Sequence, residues 1–217
     1  MANTSGIILI LGAGSRVGKG VAQFFAMKGY RVALVARSLK ETDSTGDQLN
    51  IKADLAKSDE IIEAFTRVKT KWGIPNVVVY NAAAGTMSPP DDPFGIPFSG
   101  FQSDMNINCF GVFVAAQQAM LGFRGLPADS FPTFMSVGAG KSASAHMMMA
   151  ATNDYKNQGY RFYFVDERKP DGSPAFQIDA EAHAKMFWEL VQAEAQLPWL
   201  QTFVKGVGYN DFGPYEL

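Results

Sequence analysis

Short apolar runs alternate along the first half of the chain with longer segments in which apolar residues recur every three or four positions. The short runs predict strands at Ile7–Leu11, Arg31–Ala36, Leu49–Ala53 and Asn76–Tyr80. The longer segments predict helices at Val17–Lys28 and Asp59–Lys71. Since strands that alternate with helices need right-handed crossover connections, this half of the chain predicts a parallel sheet with helices on both faces.

The second half continues the alternation, with one weak point. It predicts helices at Phe101–Met120, Lys141–Asn157 and Ala180–Ala193 and strands at Tyr160–Val165 and Gln201–Val204. Between residues 121 and 140 the one candidate strand is FPTFMSV, and Pro132 inside it would remove a hydrogen-bond donor from a central ladder. The predicted fold class is therefore α/β, a single-domain doubly wound parallel sheet whose fifth strand is shortened or missing.

Composition narrows the functional classes. A length of 217 residues favours one domain over residues 1–217, and 47% apolar with 18% charged residues is typical of a globular core. A net charge of -2 argues against nucleic acid as a partner, and no apolar stretch is long enough to span a bilayer. The lone Cys109 cannot form an internal disulfide. We expect a cytoplasmic protein without a membrane partner.

The stretch LGAGSRVGKG directly follows the first predicted strand and opens the first predicted helix. A glycine turn at a helix N-terminus brings unpaired backbone N–H groups close to a bound anion, here a dinucleotide pyrophosphate. The candidate residues of this turn are Gly12, Gly14, Ser15, Arg16, Val17 and Gly18. The alternative is that the glycines serve only close packing of helix against strand.

The residues after the second strand bear on the choice of cofactor. A dinucleotide fold that prefers NAD(H) places a carboxylate there to bind the ribose hydroxyl. This chain has Arg37 instead, and Arg16 lies in the neighbouring glycine turn. Because guanidinium groups bind phosphate with forked hydrogen bonds, we expect NADP(H) rather than NAD(H). The alternative is that both arginines are solvated surface charges.

These motifs together resemble the short-chain dehydrogenase/reductase family, which has a Rossmann fold and binds nicotinamide dinucleotides. Gly12 and Gly18 match the family's glycine motif, whereas Arg16 replaces its middle glycine. The resemblance implies cofactor contacts from two further segments, which are Asp54-Leu55 after the third strand and Asn81-Ala82-Ala83 after the fourth. It also implies that family members pair into dimers or tetramers.

The resemblance implies three catalytic residues, and it also implies a tyrosine that has no match in this sequence. Asn108 matches the helix asparagine that holds a water, Lys141 the lysine that opens the long central helix, and Ser136 the serine at a strand end. The family's tyrosine stands four residues before the lysine, where this chain has Val137. Either a segment is absent from this version of the chain, or the site is rebuilt.

Other candidate groups are interpreted as structural. Glu181, His183 and Lys185 are taken as a solvated helix face, Tyr155 as packing, and no His/Cys/Asp spacing resembles a metal site. Three functions stay open. They are an NADP(H)-dependent oxidoreductase acting on a small carbonyl or enone, a non-catalytic dinucleotide-binding protein, and a protein of this fold with a non-redox activity such as cyclisation or isomerisation.

Overall fold

Eight strands form one sheet in the computed structural model, which describes residues 6–92, 94–137, 142–175 and 177–213. The strands are β1 (Ile7–Leu11), β2 (Arg31–Val35), β3 (Gln48–Ile51), β4 (Val77–Tyr80), β5 (Thr133–Val137), β6 (Arg161–Arg168), β7 (Leu200–Val204) and β8 (Gly208–Tyr209). Their order in the sheet is β3-β2-β1-β4-β5-β6-β7-β8. Only the β7–β8 pair among them is antiparallel.

Helices cover both faces of this sheet. They are α1 (Val17–Met27), α2 (Ser58–Trp72), α3 (Phe98–Met105), α4 (Gly111–Phe123), α5 (Ser142–Asp154) and α6 (Ala180–Gln192). A π-helical segment, Asn106–Phe110, joins α3 to α4. One buried core cluster unites residues of α1 and α6 with one sheet face, and a second unites residues of α2, α4 and α5 with the other. The predicted α/β doubly wound sheet is confirmed.

Strand β1 shows why the sheet is covered on both sides. All five of its residues are buried, so the strand has no solvated face. Ile8 and Ile10 pack with Phe25 of α1, whereas Leu9 and Leu11 belong to the opposite cluster. A continuous apolar run is typical of a central parallel strand, since side chains that alternate between the faces meet helices on each.

The expectation of a shortened or missing fifth strand is wrong. All five residues of β5 are buried, and the strand pairs in parallel with β4 on one side and with β6 on the other. Pro132 lies just before the strand, and its carbonyl oxygen accepts a hydrogen bond of 2.9 Å from the Arg161 amide. The missing N–H of Pro132 therefore removes no hydrogen bond from the sheet, because Pro132 lies before the strand and takes part only as an acceptor.

Several predicted boundaries also shift. Strand β6 continues to Arg168, three residues beyond the predicted end at Val165, and β8 is a short strand that the pattern did not predict. The helix predicted over Phe101–Met120 is the middle of a longer helical stretch from Phe98 to Phe123. Helix α5 begins at Ser142 among the described residues, and Lys141 lies outside them.

Candidate functional site

A cleft of about 550 Å³ opens at the carboxyl ends of the central strands. It lies where β1 is flanked by β2 and β4, so that the connections lead away from each other and the strand order reverses. Doubly wound sheets bind their ligands at such a reversal. The residues predicted to bind the cofactor all line this cleft except Gly18, and Ile107 and Ile178 line it in addition.

The glycine turn packs tightly against the end of β4. The Gly12 and Ala13 amides donate hydrogen bonds of 2.9 and 3.0 Å to the Val35 carbonyl. Gly12 has a φ of +94°, and a Cβ built on it would lie 2.6 Å from the Ala82 Cα. A side chain at this position would be both strained and obstructed.

The other two glycines of the turn differ in their surroundings. A Cβ on Gly18 would lie 2.7 Å from the Ala13 Cα, so this glycine lets α1 approach the turn. A Cβ on Gly14 would meet nothing within 4 Å, and Gly14 lines the cleft. Close packing therefore explains Gly12 and Gly18, whereas Gly14 borders open space.

The N-terminus of α1 faces this turn with unpaired donors. Within the described ranges, the amides of Ser15, Arg16 and Val17 make no hydrogen bond, while the Lys19 amide donates to the Gly14 carbonyl. The first turn of α1 carries no acidic residue, and no side chain caps it. Free N–H groups and the partial positive charge of the helix end suit a phosphate group.

Two arginine side chains lie at the mouth of the cleft. Arg16 and Arg37 are both exposed and line it, and neither forms an ion pair with a described residue. The neighbouring Arg67, in contrast, forms a 2.7 Å ion pair with Glu41, and this pairing lowers the pKa of the Glu41 carboxyl. The two unpaired guanidinium groups keep their full capacity for an anion.

Asp54 forms hydrogen bonds within the turn that follows β3, and it also lines the cleft. One carboxylate oxygen accepts a 3.1 Å hydrogen bond from the Ala56 amide, and the Asp54 amide donates to the Glu60 carboxylate at 2.6 Å. Leu55 beside it is buried and lines the cleft. Asp54 is therefore held as a turn residue and contributes an acceptor to the cleft at the same time.

Asn81 joins the end of β4 to the glycine turn. Its amide donates to the Leu11 carbonyl and its side-chain Nδ2 to the Gly12 carbonyl, both at 2.8 Å. Because the bonds reach β1 and its turn, Asn81 fixes the spacing between the two strands that frame the cleft. Ala82 and Ala83 follow along the cleft floor.

Asn108 lies in the π-helical segment and holds the chain beyond the cleft floor. Its Nδ2 donates to the Ala84 carbonyl at 2.6 Å and its Oδ1 accepts from the Ala84 amide at 3.0 Å. The Tyr80 hydroxyl donates to the neighbouring Ile107 carbonyl at 2.8 Å, and burial raises the pKa of this phenol. Asn108 therefore positions the segment after Ala83, a role that the sequence did not indicate.

Ser136 is completely buried in β5 and does not line the cleft. It follows Phe134 at the two-residue period of a strand, so its side chain lies on the sheet face that α4 and α5 cover. No described group forms a hydrogen bond with its Oγ. Of the three residues predicted to be catalytic, Asn108 and Ser136 are thus placed, and Lys141 lies outside the described residues.

The sequence interpretation missed a run of charged residues at the end of β6. Asp166 and Glu167 are each 5% exposed, and Asp166 forms a 2.5 Å ion pair with Arg168. The letters FVDER place three charges directly after an apolar run, a pattern that points to the functional edge of a parallel sheet. That pattern would have identified these residues.

The interpretation of His183 as part of a solvated helix face is wrong. Its side chain is buried, with Nδ1 3.0 Å from the Asp179 carbonyl and 3.4 Å from Glu167 Oε2, and this burial lowers the pKa of the imidazole. Glu181 and Lys185 do lie on an exposed face and pair with each other. Since His183 packs edge-on against Phe203 of β7, it fixes α6 to the sheet.

The parts of the chain that the structure describes contain neither a cluster of metal ligands nor a membrane-spanning helix. No group of three His, Cys, Asp or Glu side chains there could hold a metal ion. No described helix is both long enough and apolar enough to cross a membrane.

The glycine turn, the unpaired helix N-terminus and the position of the cleft define a nucleotide-binding α/β protein. The family model described as short chain dehydrogenase matches residues 6–125, which is more than half of the chain. The chain belongs to the short-chain dehydrogenase/reductase family of oxidoreductases.

Relatives of known sequence agree with this assignment. The short chain dehydrogenase/reductase dmxR12 of Cryptosporiopsis sp. (strain 8999) is 39% identical, and the alignment covers 96% of each chain. That alignment runs over 236 residues, more than the 217 of this chain, so the relative carries positions without a counterpart here. The uncharacterized oxidoreductase YuxG of Bacillus subtilis is 26% identical over 67% of this chain and 23% of its own length.

Solved structures share the fold. The 3-ketoacyl-(acyl-carrier-protein) reductase of Brucella melitensis, complexed with NADH, superposes with a TM-score of 0.78 at 19% identity, covering 93% of this chain and 97% of its own. A metagenomic short-chain oxidoreductase in complex with NADP gives a TM-score of 0.78 at 17% identity, covering 92% and 96%. The residues around the cleft suit a cofactor of this nicotinamide dinucleotide class.

Proposed function

We propose that the protein is an NADP(H)-dependent oxidoreductase that reduces a small carbonyl or enone substrate in the cytoplasm. The observation that carries the proposal is the cleft beside the glycine turn, where free backbone amides and unpaired arginines face the same space. The bound cofactor would supply the hydride. The chain's own residues bind it, orient it and manage the accompanying proton.

The cofactor assignment follows from charge. The pyrophosphate would lie against the amides of Ser15, Arg16 and Val17, since these donors have no partner among the described residues. Arg37 at the end of β2 would bind the 2′-phosphate, where a carboxylate would repel it. Asp54 and Leu55 would border the adenine, as the family resemblance implies.

The catalytic assignments combine the resemblance with local structure. Ser136 would polarise the substrate oxygen, and its buried Oγ has no other partner in the described ranges. Asn108 would keep the segment after Ala83 in place through both of its hydrogen bonds to Ala84. Lys141 would bind the nicotinamide ribose, a role that rests on the resemblance alone.

Fluorescence titration with NADPH and NADH tests the cofactor, and NADPH consumption over a panel of aldehydes, ketones and enones tests the reaction. We expect binding of NADPH in preference to NADH and consumption with at least one member of the panel. Failure to bind either dinucleotide would remove the basis of the proposal. Binding without consumption would instead favour the non-catalytic dinucleotide-binding function.

We further propose that two copies pair through α4 and the end of the π-helical segment before it. Phe110, Phe113 and Leu121 follow one another at helical spacing, and each is more than half exposed. An exposed apolar stripe of this kind is typical of a surface that another protein covers.

Phe113→Lys should therefore yield monomers in sedimentation velocity, whereas Met27→Lys, at an exposed apolar residue of α1, should leave the dimer intact. A monomeric unmodified protein would contradict the pairing.

A further inference from the structure

The carboxyl end of β6 carries a buried carboxyl group at the edge of the sheet where the cleft opens. Phe162 and Phe164 belong to the core cluster shared with α4 and α5, and Asp166 follows them at the two-residue period. Arg168 continues the same face, whereas Glu167 points to the opposite face, where it contacts His183. Asp166 is therefore the last buried carboxyl on the α5-facing side of this strand.

The strand register places Asp166 beside Ser136. Ser136 of β5 pairs with Phe164, and Asp166 stands two residues further along β6 on the same face. With a rise of about 3.3 Å per residue and a strand spacing of about 4.8 Å, their Cα atoms lie about 8 Å apart. A carbonyl oxygen between the two side chains would be within reach of both.

The surroundings of Asp166 leave one oxygen available. Arg168 binds Oδ2 at 2.5 Å, so the ion pair involves this oxygen and not Oδ1. Burial raises the pKa of this carboxyl, and the Arg168 charge opposes the rise only in part. Arg168 itself donates to the Gly172 carbonyl at 3.3 Å, while the hydroxyl of Thr202, across from Asp166 on β7, donates to the Asn210 carbonyl.

We propose that Asp166 is the proton donor of the reduction, the role that the family resemblance gives to a tyrosine whose expected position holds Val137 in this chain. The inference rests on the proposed function. As hydride from a reduced nicotinamide dinucleotide forms the new C–H bond, the electron pair of the C=O π bond moves to the substrate oxygen. That oxygen takes the proton of the Asp166 carboxyl as its O–H bond breaks. Solvent then returns a proton to the carboxylate.

Arg168 would act through Asp166 as a positioning residue. Its guanidinium holds Oδ2, so that Oδ1 keeps one direction toward the position of the substrate oxygen. It also stabilises the carboxylate that remains after the proton has left. The Ser136 hydroxyl would donate a hydrogen bond to the same substrate oxygen.

The test compares Asp166→Asn with the unmodified protein and with Glu167→Gln. The asparagine keeps the shape and a hydrogen-bonding oxygen but cannot donate an acidic proton. We expect NADPH affinity within about twofold and kcat lower by roughly 10² to 10⁴-fold, the usual contribution of a general acid. The limb of the kcat–pH profile at high pH should disappear, and Asp166→Glu should restore part of kcat. Glu167→Gln should keep that limb.

Infrared titration gives a readout independent of turnover. A protonated carboxyl band should persist at a pH where solvent-exposed acids are ionised, and Asp166→Asn should remove it. Unchanged kcat and an unchanged pH limb in Asp166→Asn would overturn the inference while leaving the proposed function intact. A band that Glu167→Gln removes and Asp166→Asn leaves unchanged would overturn it too, because burial also raises the pKa of Glu167. An unmodified protein that consumes no NADPH would remove the proposed function and the inference with it.

Discussion

Gly12→Ala is expected to lower the free energy of unfolding by about 3 kcal/mol. Two costs combine, because the backbone at +94° is strained for a residue with a Cβ and because that Cβ would press on the Ala82 backbone. Relief requires β4 and the glycine turn to separate, which would break the hydrogen bond from Asn81 to the Gly12 carbonyl. Denaturant unfolding followed by circular dichroism measures the loss.

Gly14→Ala is the matched control. It adds the same methyl group two residues along the same turn, but a Cβ there has open space and the backbone has no positive φ. We expect its free energy of unfolding to stay within about 0.5 kcal/mol of the unmodified protein. Equal destabilisation by the two substitutions would contradict the steric explanation, and so would a stable Gly12→Ala.

Arg37→Ala is expected to weaken NADPH binding by roughly 10- to 100-fold while NADH binding changes by less than about threefold. A hydrogen bond to a charged group contributes about 1.5 to 3 kcal/mol, and about 1.4 kcal/mol corresponds to a tenfold change in Kd. Only NADPH carries the 2′-phosphate that Arg37 would bind. The difference between the cofactors should shrink at high salt, because Arg37 is exposed.

Arg124→Ala provides a charge-matched control for Arg37→Ala. Arg124 is also exposed, but it follows the end of α4 and does not line the cleft. Fluorescence titrations of both variants with both dinucleotides complete the comparison. Equal losses of NADPH and NADH affinity in Arg37→Ala would reject the phosphate role, as would a comparable loss in Arg124→Ala.

The alternation of strands and helices was predictable because a parallel sheet imposes it on the residue pattern. Central strands such as VVVY of β4 are apolar on both faces, and the glycine turn follows β1 at once. These features are local in sequence, so they could be recognised without the fold. The residues predicted to bind the cofactor lie around one cleft for the same reason, since parallel strands end at the same edge.

The errors arise where local pattern and tertiary context disagree. Pro132 indicated a broken strand, but it lies one residue before β5, so the hydrogen bonds of the strand stay intact. His183 looked solvated between Glu181 and Lys185, yet residues two apart on a helix point in nearly opposite directions. Glu181 and Lys185 therefore share an exposed face, and His183 faces the sheet. Asp166 was missed although the charges directly after the apolar run of β6 indicate a sheet edge, and only the register between β5 and β6 shows that it lies beside Ser136.

The π-helical segment absorbs an extra residue inside the long helix. A π turn carries one residue more than the α turn it replaces, as if a single codon had been inserted between α3 and α4. Removing one residue there would return the segment to α-helical form and leave the direction of the α4 side chains unchanged. Asn108 lies in the wide turn itself, so the deletion would move it away from Ala84. A change of length in this segment should therefore disturb the chain beyond the cleft floor and spare the surface of α4.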